Sequence, residues 1–183
     1  MALRLHVFGA SGSGTSTLGQ RVAQVLDLPW LDVDDYYWAP TDPPYTQKRP
    51  IPERLAAMNA VLDDDLGWVV SGSLCSWGAP LAARFTQAVF LYVHPSVRLP
   101  RLAAREQQEF GARVAPGGDM YATHLEFMAW AARYDTADDS MRSLTMHEAW
   151  LATLPCPVLR LNSQHPPAAL TEATLRQLAP NAN

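Results

Sequence analysis

Gly9-Ala10-Ser11-Gly12-Ser13-Gly14-Thr15-Ser16 is a glycine- and serine-rich run near the start of this 183-residue chain, and the remaining residues fall into order around it. Before it, residues 3–8 are apolar and alternating, as a buried strand requires. After it, Leu18, Val22, Val25 and Leu26 recur at the spacing of one helical face. A strand, a glycine turn and a helix in that order bring the turn's N–H groups to the helix amino end. There they converge as an anion nest, and the glycines admit positive φ and close approach of the backbone. The spacing is that of the phosphate-binding pattern G-x-x-x-x-G-K-[S/T], filled everywhere except at the lysine, which is Thr15. Gly9, Ser11, Gly12, Ser13, Gly14, Thr15, Ser16 and Thr17 are therefore the candidate nucleotide-binding residues, and Ser16 holds the position whose hydroxyl reaches Mg²⁺. A dinucleotide fingerprint does not fit, because its third glycine would fall on Thr17.

Outward from the loop, Asp27-Leu28-Pro29 ends the first helix, since proline disfavours helical geometry in the residue before it. Short apolar strands are expected at residues 30–33, 68–70, 88–93 and 157–161. Helices are expected from Pro52 (with Leu55, Met58 and Leu62 as its apolar face) and over about 96–110, 119–133, 140–154 and 167–178. Residues 39–50 contain four prolines and read as an ordered loop. Strands alternating with helices predict one α/β unit over residues 1–183. Its five-stranded parallel sheet carries helices on both faces through right-handed crossovers.

Composition narrows the function classes. Hydrophobic residues are 48% and charged residues 17% of the chain. The longest strongly apolar run, residues 88–93, is far shorter than the ~18 residues of a membrane span. Met1-Ala2-Leu3-Arg4-Leu5-His6 lacks the apolar core of a signal peptide, and Cys75 and Cys156 lack metal or redox spacing. These features describe a soluble cytoplasmic protein without a membrane partner. A net charge of −4 argues against a general nucleic-acid surface.

The loop, the chain length and the strand–helix order resemble the P-loop small-molecule and nucleoside-monophosphate kinases, the adenylate, cytidylate and shikimate kinase group. Gly12-Ser13-Gly14-Thr15-Ser16-Thr17 looks most like the archaeal-type cytidylate kinase loop, where Thr likewise replaces the lysine. The resemblance implies an adenylate kinase-like P-loop NTPase fold with a helical lid over about 98–135. It also implies ATP and Mg²⁺ as cofactors, and phosphoryl transfer to a small acceptor, a nucleoside monophosphate or a hydroxyl-bearing metabolite. The competing function is a nucleotide-binding regulator without turnover, for which the lost lysine is a real loss.

Asp32, Asp34 and Asp35 follow the second strand, whose carboxyl end faces the acceptor in the kinase group. Asp34 is the expected hydrogen-bond acceptor or base for the substrate hydroxyl. Asp32 or Asp35 is the expected water-mediated Mg²⁺ partner, and capping of the next turn competes for the same side chains. Ser71-Gly72-Ser73 closes the third strand without the acid of a conventional Walker B motif, and Ser73 is a candidate acceptor contact. Arg98, Arg101 and Arg105 stand at i, i+3 and i+7 on one helical stripe. With Arg113 before the Gly117-Gly118 hinge, they resemble the lid arginines that close over phosphates. Arg101, Arg105 and Arg113 are the expected substitutes for the missing lysine. Arg49 and Arg54 flank the acceptor-side helix and are suited to a substrate phosphate or carboxylate.

Overall fold

The computed structural model describes residues 2–178. The expected unit over 1–183 thus includes Met1 and residues 179–183, which lie outside the described residues, as does the first residue of the amino-terminal reading. The strands are β1 (Arg4–Gly9), β2 (Trp30–Asp32), β3 (Trp68–Ser71), β4 (Gln87–Tyr92) and β5 (Val158–Asn162). They form one all-parallel sheet in the order β2-β3-β1-β4-β5. The helices are α1 (Thr15–Leu26), α2 (Val33–Tyr37), α3 (Ile51–Asn59), α4 (Ala79–Ala82), α5 (Pro95–Phe110), α6 (Tyr121–Ala132), α7 (Leu144–Thr153) and α8 (Pro167–Leu178). A 3₁₀ turn, Gly111–Val114, follows α5.

Strand periodicity explains the two cores. Leu5 and Val7 of β1, Val69 of β3 and Val89 and Leu91 of β4 point to one face, where Leu18, Val22 and Ala23 of α1 and Leu170 of α8 cover them. Phe8, Val70, Trp68, Ala88 and Phe90 point to the other, against Met58, Leu81, Trp150 and Leu151 from α3, α4 and α7. Burial on both faces accounts for strands that read as continuous apolar runs.

The expected elements are present, with local differences. Val25 is 60% exposed and Leu26 37% exposed, so they do not share the buried face of α1 expected for them. The buried stripe is Leu18, Gly19, Val22 and Ala23 instead. Gly19 lies so close to the sheet that a β-carbon would run into Ser71 Oγ, and this approach turns the helix towards its small residues. The second strand, expected over 30–33, ends at Asp32, because Asp32 caps α2 and Val33 opens that helix. The start of α7 falls at Leu144 rather than residue 140, because Ser143 Oγ caps it by accepting the Met146 N–H at 3.0 Å. Residues 39–50 lack regular structure apart from an antiparallel bridge between Trp38 and Lys48, which folds the segment into a hairpin.

In an open parallel sheet, ligands sit outside the carboxyl ends of the strands where the chain changes direction. Here that is the end of β1, between β3 and β4, and the glycine run starts there.

Candidate functional site

The loop between β1 and α1 is a tight turn. Ser13 N–H donates to Ala10 O at 3.0 Å, and Gly12 and Gly14 hold φ of 82° and 89°. Gly12 also faces α5, where a β-carbon would meet the Arg98 carbonyl at 3.0 Å. Gly14 is the N-cap of α1 and brings no side chain, so the amides of Thr15, Ser16 and Thr17 have no acceptor among the described residues. They carry the positive end of the helix dipole. Ser13 Oγ is buried in the same turn without a hydrogen-bond partner. Uncapped amides and an orphaned hydroxyl fit a bound phosphate.

At the amino end of α1, Ser16 Oγ donates to Asp32 Oδ2 at 2.5 Å. Asp32 Oδ1 accepts the Asp34 N–H at 3.0 Å and so caps α2. One carboxylate therefore joins the glycine loop to the segment carrying Asp34. Hydroxyl and carboxylate oxygens suit Mg²⁺, which keeps waters and binds through one or two protein groups plus phosphate. No group of three or more His, Cys, Asp or Glu side chains is arranged to hold a metal ion among the described residues.

With capping performed by Asp32, the Asp34 and Asp35 carboxylates make no hydrogen bond among the described residues. Asp34 is exposed to solvent, with protein packed around its carboxylate. Burial raises its carboxyl above the ordinary range, Arg142 and Arg105 pull it back down, and Asp32 and Asp35 push it up. Burial and Asp32 also raise Asp35.

Arg54, on α3 beside α2, is 6% exposed. Its guanidinium lies 3.9 Å from the centroid of the Tyr37 ring and 5.3 Å from that of Trp77, and its Nε donates to Arg49 O at 2.7 Å. Its two Nη atoms have no partner among the described residues. Arg49 turns its own Nε to Trp38 O at 2.9 Å, inside the hairpin.

The arginines of α5 part company. Arg98, grouped above with the lid stripe, is fully buried: its Nη1 donates to Ala131 O at 3.0 Å and its Nη2 to Asp135 Oδ2 at 2.7 Å. It clamps the start of α5 to the end of α6 and has no path to a phosphate. Arg101 is exposed and donates to Ser163 O, after β5, at 2.8 Å. Arg105 is exposed, its charge bears on Asp34, and it holds Glu106 only at 3.4 Å. Arg113 is shared by Asp119 and Asp42, each at 2.7 Å from Nη2, so it faces carboxylates rather than Asp34. Ser73 is buried, with Oγ 3.2 Å from His147 Nε2, and belongs to the interior instead of the cleft wall.

Arg142 escaped the sequence reading. It stands in the bend before α7 with its guanidinium 5.7 Å from the centroid of the Trp130 ring, and it makes no hydrogen bond or ion pair among the described residues. It is the strongest opposite charge acting on Asp34. Its place within a stretch expected as helix gives no sign of its influence on Asp34, which long-range packing creates.

No protein-family model matches the chain. It is 42% identical over 161 residues to "Uncharacterized protein YqaC" of Bacillus subtilis (strain 168), covering 88% of this chain and 89% of that protein. Among solved structures it is similar to a gluconokinase from Sinorhizobium meliloti 1021, with a TM-score of 0.55, 21% identity and coverage of 97% and 93%. A shikimate kinase from Acinetobacter baumannii, solved in complex with shikimate, superposes with a TM-score of 0.54, 15% identity and the same coverage. The fold is that of the P-loop small-molecule kinases.

Proposed function

The chain belongs to the family of the Bacillus subtilis protein YqaC, and from that membership and the kinase fold we propose that it is an ATP-dependent phosphotransferase acting on a small, negatively charged, hydroxyl-bearing acceptor. We read it as one unit with residues 98–135 as its lid. The observation that carries the proposal is the Ser16–Asp32 bond, which joins an uncapped helix end to a segment whose Asp34 carboxylate is left free.

Residues 9–17 would hold the nucleotide phosphates on backbone amides, with the Ser16 hydroxyl and the Asp32 carboxylate beside Mg²⁺. MgATP supplies the transferable phosphoryl group when bound. Thr15 contributes one neutral donor where a lysine would bring charge, and charge-assisted bonds are roughly twice as strong. Arg105, the lid arginine whose charge bears on Asp34 and whose hold on Glu106 is long at 3.4 Å, takes the lysine's electrostatic part. Arg101 serves the nucleotide side near Ser163, and Arg113 joins when released from its carboxylates. Asp34 accepts the proton of the acceptor hydroxyl, and Asp35 lies beside it. Arg54 and Arg142, each with unpaired guanidinium nitrogens, would receive the acceptor's anionic group. Arg54 is rigidly stacked and set for a planar fork. Arg49 positions it through its carbonyl.

The test is calorimetric titration with a non-hydrolysable MgATP analogue, followed by radiolabelled ATP against hydroxy acids, nucleoside monophosphates and neutral polyols. Turnover is expected on an anionic acceptor and not on its neutral counterpart. Asp34→Asn should keep nucleotide affinity within a few fold and cut turnover by about 10²-fold. Tight binding with no turnover on any acceptor would instead favour the nucleotide-binding regulator.

A further inference from the structure

The hairpin of residues 38–48 reaches across to the lid, and three of its contacts end there. Asp42 Oδ1 accepts from Arg113 Nη2 at 2.7 Å, in the 3₁₀ turn after α5. Tyr45 OH donates to Glu109 Oε1 at 3.3 Å, and its ring meets Phe110 edge-on at 6.2 Å. Behind these, Trp38 supports Tyr45 with ring centroids 5.9 Å apart. Tyr45 adopts a φ of 62°, uncommon for a bulky side chain. Its hydroxyl also feels the charges of Asp34 and Arg105, so the hairpin tip lies on the side of the fold that carries Asp34.

The charge balance at this seam is unusual. Arg113 is the lid cation on which two carboxylates, Asp42 and Asp119, converge through the same Nη2. A guanidinium flanked by two carboxylates presents no net positive charge to an approaching polyphosphate.

We propose that the hairpin is a strap that holds the lid by occupying Arg113 with Asp42, so that nucleotide phosphate and strap compete for the same guanidinium. The inference rests on the phosphotransferase reading of the cleft. Release of Asp42 frees Arg113 from the hairpin, and Arg113 then exchanges its remaining Asp119 contacts, through Nε at 3.1 Å and Nη2 at 2.7 Å, for phosphate. The same release frees Tyr45 from Glu109 and Phe110, so that the hairpin moves relative to the segment carrying Asp34. Filling the phosphate site and moving the hairpin thus become one event.

Two measurements on the full chain test the strap. Hydrogen exchange without nucleotide, on wild type, Asp42→Asn and Tyr45→Phe, should show both variants exchanging faster in residues 39–50 and in 109–120 together. A change confined to 39–50 would overturn the mechanical link. Titration with tripolyphosphate and with a non-hydrolysable MgATP analogue should give about two- to fivefold tighter binding by Asp42→Asn in low salt, the size of an exposed ion pair. The gain should vanish near 1 M salt, where charges more than a few ångströms apart are screened. Equal affinity in wild type and Asp42→Asn would overturn the strap alone. No binding of either ligand by wild type would overturn the phosphotransferase reading, and the competition with it.

Discussion

Arg98 and Arg105 lie two turns apart on α5 and meet opposite fates. Arg98 shares the i, i+4, i+8 row of Leu102 and Glu106, which faces the interior, while Arg101 and Arg105 stand on the neighbouring row. Spacing alone assigns Arg98 to either row, so its burial was not legible in the sequence. Arg98→Ala should destabilise the protein by about 3–5 kcal/mol in urea unfolding, because Asp135 and the Ala131 carbonyl lose a buried partner. Arg105→Ala should leave stability within about 0.5 kcal/mol, as surface changes do. It should lower kcat by about 10³-fold with little change in nucleotide affinity, as removal of a transition-state clamp does. Equal stability losses in the two variants would refute this division. The positions of Asp34 after a strand end and of Arg54 at a helix start were legible. Arg142 was not, since its approach to Asp34 depends on a long-range fold that places the bend before α7 beside the end of β2.

At the scale of elements, the strand, glycine turn and first helix could be read almost whole, because periodicity, turn chemistry and order agree there. The orientation of α1 could not. A helix with apolar residues at 18, 22, 25 and 26 and small ones at 19 and 23 can present either stripe, and only the sheet's surface decides. Gly19→Ala tests that decision. The added methyl meets Ser71 Oγ, which already accepts the Trp30 Nε1–H at 3.0 Å, so α1 must lift from β3. A cost of about 1–3 kcal/mol is expected, the usual range for overpacking. Because Ser16 rides on the same helix, nucleotide affinity should fall with it. An unchanged melting temperature would show that the approach is looser than it stands here. The five-residue α2 offered too few positions for any period to emerge, and its one signal was the capping Asp32.

For the whole molecule, the parallel sheet with two covered faces followed from alternating elements, but the strand order did not, since apolar strands carry no label of their neighbours. The interior holds two imidazoles that composition could not locate. Burial lowers His6 to about 4, although its ring bonds Gly72 O at 2.9 Å; burial, with Arg142 and His6 nearby, lowers His147 to about 3. The unfolded chain protonates both near 6.5, so it binds more protons than the native state below that pH. Stability is therefore fully present above about pH 6.5 and is lost as pH falls through the window down to these lowered values. At pH 5 the loss is about 2 kcal/mol for each imidazole, read as a lower urea midpoint than at pH 7. An unchanged midpoint between those two pH values would exclude it. The position of β1 at the centre of the sheet has a consequence for synthesis. Of the five strands it leaves the ribosome first, yet its neighbours begin at Trp68 and Gln87. At about 5–20 residues per second, its apolar side chains wait roughly 3–15 seconds for a partner. Throughout that interval Leu5, Val7 and Phe8 are a chaperone's target, and the nascent chain is most exposed to aggregation before the third strand is made.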